Sequence, residues 1–158
     1  MYGGFNTSLS WKGFDLSAIF AYSIGGYIYN RDITMILHNG SLEGRDWSTE
    51  ILRRWTPDNR YTDVPALSTT SNNWNSASTR FLQNNSYMRL KNLTLSYNLP
   101  KQWISKLSLS SVQVYVQGDN LFTIHRNQGL DPEQGITGIT YYRYPAMRTI
   151  SGGINVSF

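Results

Sequence analysis

The sequence predicts an all-β fold, an antiparallel up-and-down transmembrane β-barrel segment with long loops at one end. Three observations predict it. In the last ten residues, Ile150, Gly152, Ile154, Val156 and Phe158 fall on one side of an extended strand, with Ser151, Gly153, Asn155 and Ser157 on the other. Connections between strand-like stretches alternate short and long, the rhythm of a barrel with short turns on one side of a membrane and long loops on the other. The aromatic fraction is 14%, with 11 Tyr and 5 Trp, which suits interfacial girdles.

Composition removes several alternatives. Mean hydropathy is -0.39 and no run of about 18 apolar residues occurs, so a helical membrane protein is excluded. Barrel strands alternate, and their average stays low even in lipid. The net charge is +4, from scattered basic residues with no stripe or module of the kind nucleic acid requires, so no nucleic-acid partner is expected. There are no cysteines, which removes disulfide frameworks and thiolate metal sites. Met1 is followed by Tyr-Gly-Gly-Phe, without a signal peptide; Met1 is therefore expected not to be the natural start.

The first strand is predicted over about 4–11, with Phe5, Thr7, Leu9 and Trp11 on one face. Lys12-Gly13 forms a tight turn, Gly accepting a positive φ. The return strand is predicted over 14–29, with Phe14, Leu16, Ala18, Phe20, Tyr22 and Ile24 aligned. A long connection over about 30–80 follows. Ser48 is a suitable N-cap for a short helix carrying Ile51, Leu52 and Trp55, with Glu50 four residues before Arg54, and Pro57 stops it. The third strand is predicted over 81–99. Leu93, Leu95, Tyr97 and Leu99 share one parity, but Met88 and Leu90 lie on the other, with Arg89 and Lys91 on the apolar one, as a bulge would explain. A short turn with one helical step around Trp103 leads to a strand over 111–124. A second long loop, 125–146, precedes the last strand, 147–158. Five strands do not close a barrel, which needs about eight, so further strands are expected before Met1.

Three stretches resemble one family. Arg54-Trp-Thr-Pro-Asp-Asn with Thr62-Asp-Val-Pro65 is similar to a loop motif of SusC/RagA-type TonB-dependent outer-membrane transporters. Asn85-Ser-Tyr-Met-Arg-Leu-Lys-Asn-Leu-Thr-Leu-Ser-Tyr-Asn-Leu-Pro100 resembles a barrel strand of that family. Val114-Tyr-Val-Gln-Gly-Asp-Asn-Leu-Phe-Thr123, Gly129-Leu-Asp-Pro-Glu133 and the ending Ile154-Asn-Val-Ser-Phe158 complete the likeness. The resemblance implies the last five strands of a roughly 22-stranded barrel in the bacterial outer membrane. It also implies TonB-driven import of oligosaccharides or peptides beneath a SusD-like surface lipoprotein. The plug and the segment that contacts the TonB complex have no counterpart in this sequence.

No catalytic group, metal ligand set or cofactor site is predicted, and no enzyme is expected. His38 and His125 are far apart, outside any HExxH pattern, and read as exposed loop histidines. Asp131-Pro-Glu133 lacks the EF-hand pattern and reads as a turn. The candidate contacts to lid or substrate are the loop aromatics Trp47, Trp74, Tyr141, Tyr142 and Tyr144, and the candidate assembly signal is Phe158. A soluble glycan-binding β-sandwich is the alternative, since it would share the aromatics and the alternation.

Overall fold

The computed structural model describes residues 1–38, 42, 44–68, 76–107, 109–127, 129, 131–133 and 137–158. The chain divides into two units, one of residues 1–26, 85–132 and 145–158, the other of 27–84 and 133–144.

The first unit is a five-stranded antiparallel sheet. Its strands are β1 (Tyr2–Trp11), β2 (Phe14–Ser23), β5 (Tyr87–Asn98), β6 (Ser111–His125) and β8 (Thr149–Ser157), in that spatial order. Every neighbour is the next strand of the sheet along the chain, the meander of an up-and-down barrel wall. Lys12 (φ 47) and Gly13 (φ 88) close the β1–β2 hairpin, a two-residue turn with both central residues left-handed. Between β5 and β6 stands a short helix, α2 (Lys101–Ile104), with one 3-10 turn, Ser105–Leu107.

Register carries one apolar stripe across all five strands. Trp11, Phe14, Tyr97, Val114 and Ile154 follow one another in neighbouring strands, and Leu9, Leu16, Leu95 and Val116 do so over the first four. The parity reversal in β5 is a bulge. Asn92 faces Ile19 while Leu90 faces Phe20, so Lys91 is the extra residue. The bulge returns Met88 and Leu90 to the apolar face, opposite Ile124 and Phe122, and sends Arg89 to the polar face opposite Thr123. A strand with strict alternation would place Arg89 among the apolar side chains.

The opposite face is a hydrogen-bonded polar wall. Asp15 accepts from Ser10 and from Asn98, Gln113 donates to Ser96, and Asn155 donates to Gln113. Higher up, Asn92 and Gln117 both donate to Asp119. Tyr115 lies over Gly153, where a Cβ would stand 2.8 Å from its hydroxyl; glycine there lets the ring cross the strand.

Among the described residues of this unit, Ala18, Leu90, Ile104 and Pro132 are buried apolar residues, while Leu9, Trp11, Ile124, Ile150 and Ile154 are each at least 64% exposed. A β-sandwich would cover one face with a second sheet. This sheet keeps its apolar face bare, as a wall between lipid and lumen does.

Two strands differ from the sequence reading. The stretch 14–29 is not one strand: β2 ends at Ser23, and Gly25 and Gly26 (both φ 83) turn the chain before β3 (Tyr27–Asn30). The stretch 81–99 is likewise divided, into β4 (Leu82–Asn84) and β5, with Ser86 accepting from the Gly25 amide. The Asn85 amide likewise donates to the Gly26 carbonyl, so backbone groups freed by the two breaks are met across them.

The second unit has a small sheet of its own, in which β3 pairs with β4 and with β7 (Ile139–Thr140). Helix α1 (Arg31–Ile36) begins at Asn30, whose side chain accepts from the Ile33 amide. Ile28, Leu37, Ile51, Val64 and Phe81 form its apolar core, all 7% exposed or less. The expected short helix is a 3-10 helix, Thr49–Arg53, capped by Ser48. Glu50 accordingly pairs with Arg53 (3.6 Å) rather than Arg54, because 3-10 geometry stacks residues three apart. Trp55 lies beyond that helix, and its amide bonds the Val64 carbonyl.

Candidate functional site

The loop aromatics do not act alike. Trp74 lies outside the described residues. Trp47 meets His38 edge to face, 5.1 Å between ring centroids. His38 is fully buried, contrary to the exposed histidine the sequence suggested, and its Nδ1 accepts from the Leu42 amide. Trp47 therefore serves in part to cover this imidazole. His125, at the end of β6, is exposed.

Tyr141 and Tyr142 are tilted against each other at 4.4 Å, and Arg31 of α1 lies 4.8 Å above the Tyr141 ring, a cation–π contact. The Tyr142 amide donates to Asp32 Oδ1 at 3.0 Å. Two consecutive residues thus grip two consecutive residues of α1. Tyr142 adopts φ 47, a left-handed conformation that costs a non-glycine residue about 1–2 kcal/mol and persists only where its surroundings hold it. The Asp32 hydrogen bond and the Tyr141 contact do so. The result turns the Tyr142 ring outward, 64% exposed, beside Tyr144 at 97%.

Tyr142 forms one side of an open cleft of about 400 Å3. Met35 and Ile36 supply apolar wall, and Asp32, Arg45 and Asp46 supply charge. An aromatic ring beside hydrogen-bonding groups of both signs can hold an extended polar ligand or a protein side chain. Among the described residues it offers no nucleophile and base at bonding distance, and no group of His, Asp and Glu is placed to hold a metal.

The first unit has a cleft of about 540 Å3 bordered by Arg89, Asn120, Thr123, His125, Asp131 and Arg148. At its base Arg89 and Asp131 form a hydrogen-bonded ion pair, with side chains 4% and 8% exposed. Arg89 also donates to Thr123, and Asp131 accepts from the Ala146 amide at 2.7 Å. Asp131 therefore ties the segment after β6 both to β5 and to the approach of β8. The sequence reading saw only a turn here. Its signal was Arg89, a charge on the apolar parity that needed a partner.

The motif Arg54-Trp-Thr-Pro-Asp-Asn also proves structural. Asn59 Nδ2 donates to the Arg53 and Arg54 carbonyls, closing the end of the 3-10 helix, while the Asn59 amide bonds Thr56 Oγ1. Phe158 follows β8 and is 92% exposed, on the parity of Val156 and Ile154, which pair with Val112 and Val114.

No family model matches the chain. Among curated proteins it is 34% identical to TonB-dependent receptor P3 of Formosa agariphila over 98% of its length. It is 28% identical to TonB-dependent receptor SusC of Bacteroides thetaiotaomicron, again over 98%. It spans 16% and 15% of those two proteins. Among solved structures it superposes on the RagAB peptide importer in its open-open state with a TM-score of 0.88 and 35% identity. That match covers 99% of this chain and 17% of the other; the closed-closed state gives 0.85. These relatives are receptors and importers, not enzymes. A bare apolar sheet face backed by a polar wall, and a likeness that covers 98% or more of the chain, lead to one assignment: the chain belongs to the SusC/RagA-type TonB-dependent receptors, as a C-terminal portion of their β-barrel.

Proposed function

We propose that this chain is part of an outer-membrane importer for oligosaccharides or peptides. Its loop unit would stand at the outer mouth, where substrate and a SusD-like lipoprotein meet, and import would be energised by the TonB complex through regions outside this chain. The observation that carries the reading is the likeness to the RagAB peptide importer over 99% of the chain, loops included. The bare apolar face supports insertion in a bilayer. The site residues are Tyr142 and Tyr144, with Tyr141 as their support and Trp47 and Trp74 as further candidates.

Ordering long loops costs about 1–2 kcal/mol per residue in backbone entropy, so a helix and three short strands there imply a surface built to receive something. Rigid aromatics give contact area at low entropic cost.

The test is a Tyr142→Ala/Tyr144→Ala variant of the full-length receptor. Co-purification of the lipoprotein, and uptake of labelled oligosaccharide and peptide mixtures, are expected to fall about tenfold or more, the range of interface anchors. Barrel content should stay unchanged, because neither side chain belongs to the five-stranded sheet. Normal lid binding together with normal uptake would remove the site assignment.

A further inference from the structure

The lysines of this chain are segregated. Three of its four, Lys12, Lys101 and Lys106, lie in the two short turns, and no arginine does. The two turns adjoin: the Asn98 amide at the end of β5 bonds the Gly13 carbonyl at 2.8 Å. All three lysines are exposed, and none makes an ion pair among the described residues. The nearest carboxylate in sequence, Asp15, lies on the polar face and is engaged by Ser10 and Asn98. Neither turn contains an Asp or Glu, so this end of the sheet carries a net positive side-chain charge.

Its surroundings say what the charge is for. Lys12 Nζ lies 5.0 Å from the centre of the Trp11 ring, and Trp11 belongs to the apolar stripe. The same row continues through Phe14 and Tyr97, whose rings lie 4.4 Å apart. Trp103, 61% exposed, stands in α2 between the other two lysines. Tryptophan and tyrosine favour the boundary between hydrocarbon and headgroups, and lysine stems lie along apolar surface while the ammonium reaches polar surroundings. An ammonium held over an aromatic at that depth meets phosphate.

We propose that the short-turn end is a binding site for an anionic glycerophospholipid. Lys12, Lys101 and Lys106 would hold the phosphate and headgroup, and Trp11, Phe14 and Tyr97 would line the upper acyl chain. The occupant is a lipid rather than free phosphate because the lysine site is continuous with the apolar face. The inference rests on the barrel assignment and needs nothing of the import reading.

The experiment is native mass spectrometry of the full-length receptor in detergent. It is titrated with phosphatidylglycerol or with phosphatidylcholine of the same acyl chains. Phosphatidylglycerol should be retained about tenfold over phosphatidylcholine, a preference of the size a few interfacial lysines supply. A Lys12→Gln/Lys101→Gln/Lys106→Gln variant should lose it, and the corresponding triple Arg variant should keep it. If the triple Gln variant does not fold, each single Gln substitution should remove part of the preference. Equal retention of both lipids by the unaltered receptor, or an undiminished preference in the Gln variants, would overturn the proposal. So would displacement of the lipid by millimolar glycerol phosphate, which would mean a phosphate site only. Cellular uptake does not enter this measurement, so its outcome is independent of the import reading.

Discussion

The Arg89–Asp131 pair shows what a single residue can decide in a wall that has almost no core. Both side chains are nearly inaccessible, and removing one partner of a buried pair leaves a charge that costs about 3–5 kcal/mol. Asp131→Asn keeps an acceptor for the Ala146 amide and removes only the charge. We expect it to loosen the segment between Arg126 and Arg148, so that trypsin cuts the full-length receptor at Arg126 and Arg143 several times faster. Arg89→Met should do the same, and a cleavage rate equal to the unaltered protein in both variants would show that the pair anchors nothing. Half of this pair was visible in the sequence. Arg89 stood out by parity, but Asp131 is 42 residues away and reads locally as a Pro turn. No periodicity joins two such positions. His38 was misread for a similar reason: burial under Trp47 is a tertiary fact in a segment without a repeating pattern.

At the scale of the element, the strands were legible because alternation writes both faces into each one. Their interruptions were less so. The run from Phe14 to Tyr29 is aromatic and apolar to its end, and only Gly25-Gly26 marks where β2 stops and β3 begins. The bulge at Lys91 could be suspected from parity, yet its partner irregularity on β6, where Asn120 adopts φ 52, has no comparable signature. The bulge makes a sharp prediction. Deleting Lys91 removes the extra residue, so Leu90 and Asn92 become consecutive opposite Phe20 and Ile19, and Arg89 stays on the polar face with Met88 and Leu90 on the apolar one. An arginine turned to the lipid face would cost about 2–4 kcal/mol near mid-bilayer and less toward its edges, and the Asp131 pair would be lost as well. We therefore expect both the Lys91 deletion and Lys91→Ala to give heat-modifiable barrel. Loss of barrel in the deletion alone would mean that the bulge does more than set the parity of Tyr87–Leu90. Phe158 is proposed as the assembly signal on related grounds, since it extends the apolar row of β8 beyond the last ladder pair. Phe158→Ala should lower inserted barrel without lowering synthesis.

At the scale of the whole molecule, the chain order of the two units carries a topological statement. Both short turns, Lys12-Gly13 and the connection through α2, lie at one end of the five-stranded sheet. The chain leaves that sheet after Ser23 and after His125, and re-enters at Tyr87 and Thr149, always at the other end. An up-and-down wall admits no other arrangement once its strands are antiparallel neighbours. If the sheet crosses the outer membrane, one end faces the cell exterior and the other the periplasm. Long loops belong outside in bacterial barrels, and short turns belong inside. The long connections that carry Tyr142 then lie on the outer side, and the lysine-rich turns meet the inner leaflet. Because the chain has no cysteine, this orientation can be read directly. Asp58→Cys and Tyr144→Cys, both at exposed loop positions, should react with an impermeant maleimide on intact cells. Gln102→Cys, exposed on α2, should react only after the outer membrane is opened. These positions avoid Gly13 and Gly138, whose positive φ angles would strain a cysteine. Labelling of Gln102→Cys on intact cells, with the loop positions protected, would invert the wall. It would then place Tyr142 in the periplasm, out of reach of any surface lipoprotein, and the proposed import site would fall with it.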